Sequence, residues 1–73
     1  MEFDQSYIEK TYLFARARTN SVADAQDLAQ DILTEVLNAL QKGAQPKHFS
    51  AWFWTIARRR YARFVEQERL YRL

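Results

Sequence analysis

Residues 22–42 read VADAQDLAQDILTEVLNALQK, and Gly43 follows them. Within this stretch Ala25, Leu28, Ala29, Ile32, Leu33, Val36, Leu37 and Leu40 recur at helical spacing. At about 100° per residue they cover roughly half the circumference of one long helix. An apolar arc that wide can contact two other helices. Asp24, Asp27, Asp31 and Glu35 form a stripe on the opposite face, and Gln30 and Thr34 lie between the stripe and the apolar edge. Ser21, with Asp24 three residues on, resembles a capping box in which Asp replaces the usual Glu. The stretch predicts the long central helix of an all-α, three-helix bundle.

Working outward, the residues before Ser21 predict a helix over about 4–18, capped by Asp4 or Ser6. Phe3, Tyr7, Ile8, Thr11, Tyr12, Phe14 and Ala15 mark its inner face. On the other side, Gly43-Ala44-Gln45-Pro46 is the one clear break. A third helix over about 48–69 follows, with Phe49, Trp52, Phe53, Ile56, Ala57 and Phe64 on its core face. Arg58, Arg59 and Arg63, with Thr55 and Ala62, project away from that face. Trp54, Tyr61 and Val65 lie on the shoulder beside Arg58. Arg60 points at the middle of the apolar face. A guanidinium cannot be buried there alone, so an acidic partner is expected, with Asp27 and Asp24 as the candidates. Glu35 reads as a plain solvated acid.

The chain has 73 residues, one glycine, one proline and no cysteine. It is a single small domain without disulfides or thiolate metal sites, and too poor in turn residues for a β-sandwich or barrel. There is no apolar run long enough for a membrane span and no signal-peptide pattern at Met1–Asp4, so a cytoplasmic location is expected. Net charge is only +2, but it is polarised. Residues 21–41 carry four acids and no base, while residues 42–73 carry eight bases, Arg72 among them, against Glu66 and Glu68. Residues 1–20, with Glu2, Asp4 and Glu9 against three bases, are neutral. An acidic middle and a basic end predict two different partners, unless the two segments simply attract each other.

Catalysis has little to stand on. His48 is the one histidine, and no nucleophile–base set, zinc motif or glycine-rich phosphate loop is present. The carboxylate stripe lies along one solvated face with no second set of ligands converging on it. No enzyme activity, cofactor, metal or small-molecule substrate is expected. Arginines beside exposed aromatics instead suit nucleic acid, because guanidinium groups hold phosphates while rings stack on bases. A homeodomain-like or helix-turn-helix duplex reader is one alternative. Trp52-Phe53 followed by Arg58-Arg59-Arg60 resembles that recognition helix. Thr55, however, stands where the adenine-reading asparagine belongs, and the second helix is about twice the length such folds use. A helical protein-interaction module without nucleic acid is the other alternative.

Two segments together resemble a more specific family. Asp24-Ala25-Gln26-Asp27-Leu28-Ala29-Gln30-Asp31-Ile32-Leu33 resembles region 2.2 of the sigma-70 family, which in its extracytoplasmic-function (ECF) branch reads D-A-E-D-L-V-Q-E-x-F. Phe49-Ser50-Ala51-Trp52-Phe53-Trp54-Thr55-Ile56-Ala57-Arg58 resembles the F-x-A-W-L-x-x-I-A-R of regions 2.3 and 2.4. Their order and separation also fit, and the resemblance covers about residues 3–69.

The resemblance implies a job for each charged surface. Region 2.2 docks on the clamp helices of the β′ subunit of core RNA polymerase, and its matching positions are Asp27, Gln30, Asp31 and Thr34. Asp24 reads instead as a cap residue. The loop after Gly43, with Gln45, Lys47 and His48, would capture a base flipped from the non-template strand of the promoter −10 element. The third helix would meet the upstream edge of that element. There Arg58, Arg59 and Arg63 would hold backbone or base edges, Trp54 would stack beside the fork, and Trp52 would pack in the core. Thr55 and Ile56 stand where housekeeping sigma factors carry a tryptophan pair, so opening would depend more on base capture than on a wedge. An anti-sigma factor is a further partner that the branch implies.

The sequence departs from the family pattern at Arg59, usually asparagine, at Arg63, often aspartate, and at Gln26, usually glutamate. The first two make the third helix more basic. No counterpart of the domain that reads the −35 element is present in the 73 residues. The chain is expected to be either a region 2 piece of a longer protein or a single-domain relative.

Overall fold

The computed structural model describes residues 3–71. Glu2 and Arg72, counted above among the charges, lie outside the described residues, as do Met1 and Leu73. Three helices follow in order: α1, Gln5–Arg18; α2, Val22–Gln41; α3, Phe49–Tyr71. Of these, α3 continues two residues past its expected end.

Local chemistry sets each boundary. Asp4 caps α1, its Oδ1 accepting from the Ser6 amide at 3.0 Å and from the Ser6 hydroxyl at 2.6 Å. Ser21 caps α2, its hydroxyl oxygen accepting from the Asp24 amide at 3.1 Å. Only this forward half of the capping box forms, since aspartate is one methylene shorter than the glutamate that usually reaches back. At the other end of α2, the Ala44 amide donates to the Ala39 carbonyl and the Gly43 amide to the Leu40 carbonyl. This is a Schellman closure, and it places Gly43 at φ +99°, a conformation costly for residues with a Cβ. The chain then crosses to His48, whose carbonyl accepts the first bond of α3 from the Trp52 amide.

The central helix α2 packs against both others. Its Ala25, Leu28, Ala29, Ile32 and Val36 are buried with Ala15 of α1 and with Phe49, Phe53, Ile56 and Ala57 of α3. Burying Phe53 completely contributes about 2–3 kcal/mol before entropy is counted. Thr11 is also fully buried. Its hydroxyl donates back to the Tyr7 carbonyl at 2.5 Å, so no polar atom is stranded.

By contrast, α1 and α3 meet through rings. Tyr7 lies 4.8 Å from Phe53 and 5.3 Å from Phe49, and Phe14 lies 5.5 Å from Trp54 and 6.4 Å from Tyr61. Large side chains between the two helices keep the backbones apart while filling the space.

Three sequence expectations about the core change. Leu37 is exposed, not inward, and so is Ile8. Trp52 is only half-buried, packed 5.7 Å from Phe49 at the edge of the core. The arc of α2 is wider than α1 and α3 can cover, and Leu37 lies on the surplus. No helix among the described residues is long and apolar enough to cross a membrane.

Candidate functional site

Helical geometry divides the acidic face of α2 in two. Relative to Asp27, Gln30 and Thr34 step back around the helix by about 60° and 20°, and Asp31 and Glu35 step forward by about 40° and 80°. The first set turns towards α1 and the second towards α3. Accordingly Asp27, Gln30 and Thr34 line a groove between α1 and α2 with Gln26, Leu33, Leu37, Ile8 and Tyr12. Asp31 lines a separate, small recess with Arg60, Arg63, Phe64 and Gln67 of α3. The four residues expected to bind one partner are thus three neighbours in a groove and a fourth on the far flank.

Ile8 and Leu37 were not legible as part of this surface. Both carry the apolar periodicity of core residues, and only the placement of α1 against α2 leaves them 48% and 44% exposed. The groove therefore combines a carboxylate, an amide and a hydroxyl with an apolar floor.

The flank towards α3 corrects the reading of Arg60. Its acidic partner is Glu35, not Asp27 or Asp24. Arg60 Nε donates to Glu35 Oε1, and Arg59 Nη2 donates to Glu35 Oε2. Glu35 is therefore not a plain solvated acid. Its position two turns beyond Asp27 puts it level with Arg60 across the helix crossing. Partial burial pushes the Glu35 carboxyl up, but the hydrogen bonds and charges of Arg60 and Arg59 outweigh this and hold it below its ordinary value. The acidic and basic segments do attract each other, among the described residues through Glu35.

The basic residues of α3 fall on two flanks. Arg59 and Arg63 lie towards α2, Arg59 on Glu35 and Arg63 beside Asp31. Arg58 lies on the other side, on the flank of Trp54 and Tyr61, with its Nη2 3.5 Å from the Thr55 hydroxyl. Thr55 in turn donates to the Ala51 carbonyl at 2.8 Å. Of the three arginines expected to project freely, Arg59 is tied down.

Trp54 is half-buried, 5.1 Å from Phe53 and 5.5 Å from Phe14. A residue the sequence did not single out joins it: the Arg18 guanidinium lies 3.9 Å from the centre of the Phe14 ring and donates to the Phe14 carbonyl. Arg18 therefore borders this aromatic cluster from α1, while Arg58 follows Trp54 by one turn on α3. Lys47 and His48 are exposed, immediately before α3.

This helical scaffold carries a groove with one carboxylate, Asp27, on one side and arginines beside aromatics on another. The sequence model of sigma-70 region 2 matches residues 4–71, nearly the whole chain. The chain belongs to the sigma-70 region 2 family, whose domains act in transcription initiation by binding RNA polymerase and promoter DNA and are not enzymes. No curated protein and no solved structure matches the chain.

Proposed function

We propose that this chain is a region 2 domain of the ECF branch, acting in the cytoplasm. It docks through α2 on the β′ clamp helices of core polymerase and takes the non-template strand of the −10 element on α3 and the preceding loop. The observation that carries the docking half is the groove in which Asp27, Gln30 and Thr34 sit beside exposed Ile8 and Leu37. A coiled-coil partner bearing arginines fits such a surface. Its guanidinium groups find a carboxylate and an amide, and its aliphatic stems lie on the apolar floor. Asp31 contacts the same partner only from the margin.

For DNA, Arg58, Arg63, Lys47 and His48 are exposed contacts, and Arg59, also exposed, is held by Glu35. The uncovered edge of Trp54 stacks where duplex becomes single strand, and Thr55 sits next to Arg58. An anti-sigma factor would act by covering the same groove.

The test is binding of the full chain to a β′ clamp-helix fragment, with Asp27→Lys as control. Saturable binding that the substitution abolishes supports the docking; equal affinity of both proteins removes it. On the DNA side, non-template single strand should be preferred to duplex. The reverse preference would favour the homeodomain-like alternative.

A further inference from the structure

The Glu35 contact ties up an arginine of the helix to which the functional reading assigns DNA. We propose that Glu35 is a positioning residue that acts as an internal stand-in for a DNA phosphate: it holds Arg59 in the free protein and yields it to the backbone on binding. This rests on the reading of α3 as a DNA-binding helix.

The two halves of the fork are not equivalent. Arg60 is the less exposed half, with 30% of its side chain exposed; Arg59 has 57% exposed, and Glu35 between them has 22%. Each arginine uses its own carboxylate oxygen. Releasing Arg59 therefore leaves Glu35 neutralised by Arg60, with Oε2 open to water on the exposed side. No charge is stranded by the exchange. Releasing Arg60 would leave a partly buried guanidinium without its carboxylate partner.

Phosphate and carboxylate oxygens are the same kind of acceptor for a guanidinium fork, so one can replace the other at Arg59 without rebuilding the helix. Arg58, whose hydrogen bond among the described residues is to the neutral Thr55 hydroxyl, makes no such exchange. The arrangement sets a hierarchy: Arg58 contacts phosphate first, Arg59 only against competition from Glu35, and Arg60 remains a structural latch between α2 and α3.

The experiment measures binding of a fluorescein-labelled, A·T-rich single-stranded oligonucleotide to the full chain across about 50 to 200 mM salt. The proteins are wild type, Glu35→Gln, Arg59→Ala and the double variant. Freeing Arg59 adds one phosphate contact, so Glu35→Gln should tighten binding about threefold to tenfold and steepen the log–log salt slope by about 0.7. In the Arg59→Ala background the same substitution should gain less than twofold.

An equal gain in both backgrounds would show that Glu35 acts only by long-range repulsion, and would overturn the proposal. So would unchanged or weaker binding by Glu35→Gln. If circular dichroism shows that Glu35→Gln has unfolded, Glu35→Asp replaces it. The shortened carboxylate keeps its charge but cannot span both arginines, so a gain that depends on Arg59 is still expected, and no gain overturns the proposal. Failure of the DNA reading looks different: none of the four proteins would bind with salt dependence, and the proposal would fall with it.

Discussion

The Trp54 ring on α3 lies 5.5 Å from the Phe14 ring on α1. The tryptophan that suits stacking on DNA is therefore also a fastener between two helices whose backbones do not pack closely. Trp54→Ala should cost about 2–3 kcal/mol of stability, less than a fully buried aromatic because one edge is exposed. Trp54→Phe should keep most of the stability. Denaturant unfolding of both separates the packing role from stacking. If Trp54→Leu, which keeps apolar packing but has no ring, binds single-stranded DNA as well as wild type does, the ring does not stack on a base.

Asp27 and Asp31 should differ as docking residues. Asp27→Lys places a cation inside the groove and should weaken clamp-helix binding by at least tenfold. Asp31→Lys places it on the flank beside Arg60 and Arg63, and should cost less than threefold through binding itself. Titration calorimetry with the two variants checks the order; equal losses would mean that the partner covers both flanks.

Arg58→Ala should weaken oligonucleotide binding and lower the salt slope by about 0.7, the loss of one single-strand phosphate contact. An unaltered slope would show that this guanidinium does not reach the backbone.

The Glu35 fork also sets a pH dependence. The folded-state pKa of Glu35 lies below its ordinary value of 4.5. A depressed carboxyl stabilises the fold fully above that ordinary value, and the contribution is lost as pH falls from there through the folded value. Wild type should therefore be more stable than Glu35→Gln at neutral pH, by about 1 kcal/mol. The two melting temperatures should converge as pH is taken well below 4.5. A gap that persists in acid would mean that the fork contributes nothing through charge.

At Gly43 the test is conformational. A Cβ there would meet nothing within 4 Å, but the backbone sits at φ +99°. Gly43→Ala should cost about 1 kcal/mol from backbone strain alone, read as a lower midpoint in urea. A neutral result would mean that the Schellman closure relaxes without penalty.

Much of this protein was written in local sequence. The apolar period of Ala25 to Leu40 determined a long central helix, Ser21 and Gly43 determined its ends, and paired motifs at Asp24–Leu33 and Phe49–Arg58 pointed to the family. Such features act within a few residues along the chain, so one-dimensional spacing is enough to read them. Which carboxylate meets Arg60 was not readable in this way. Asp24, Asp27 and Glu35 all recur on one face, and only the height and rotation at which α2 crosses α3 bring Glu35 level with the arginines. In the same way, Ile8 and Leu37 have the spacing of core residues. Leu37 became groove floor because α1 and α3 do not cover the whole apolar arc of α2, and Ile8 because it lies at the edge of the α1 face that meets α2; where those edges fall is a property of how the helices pack.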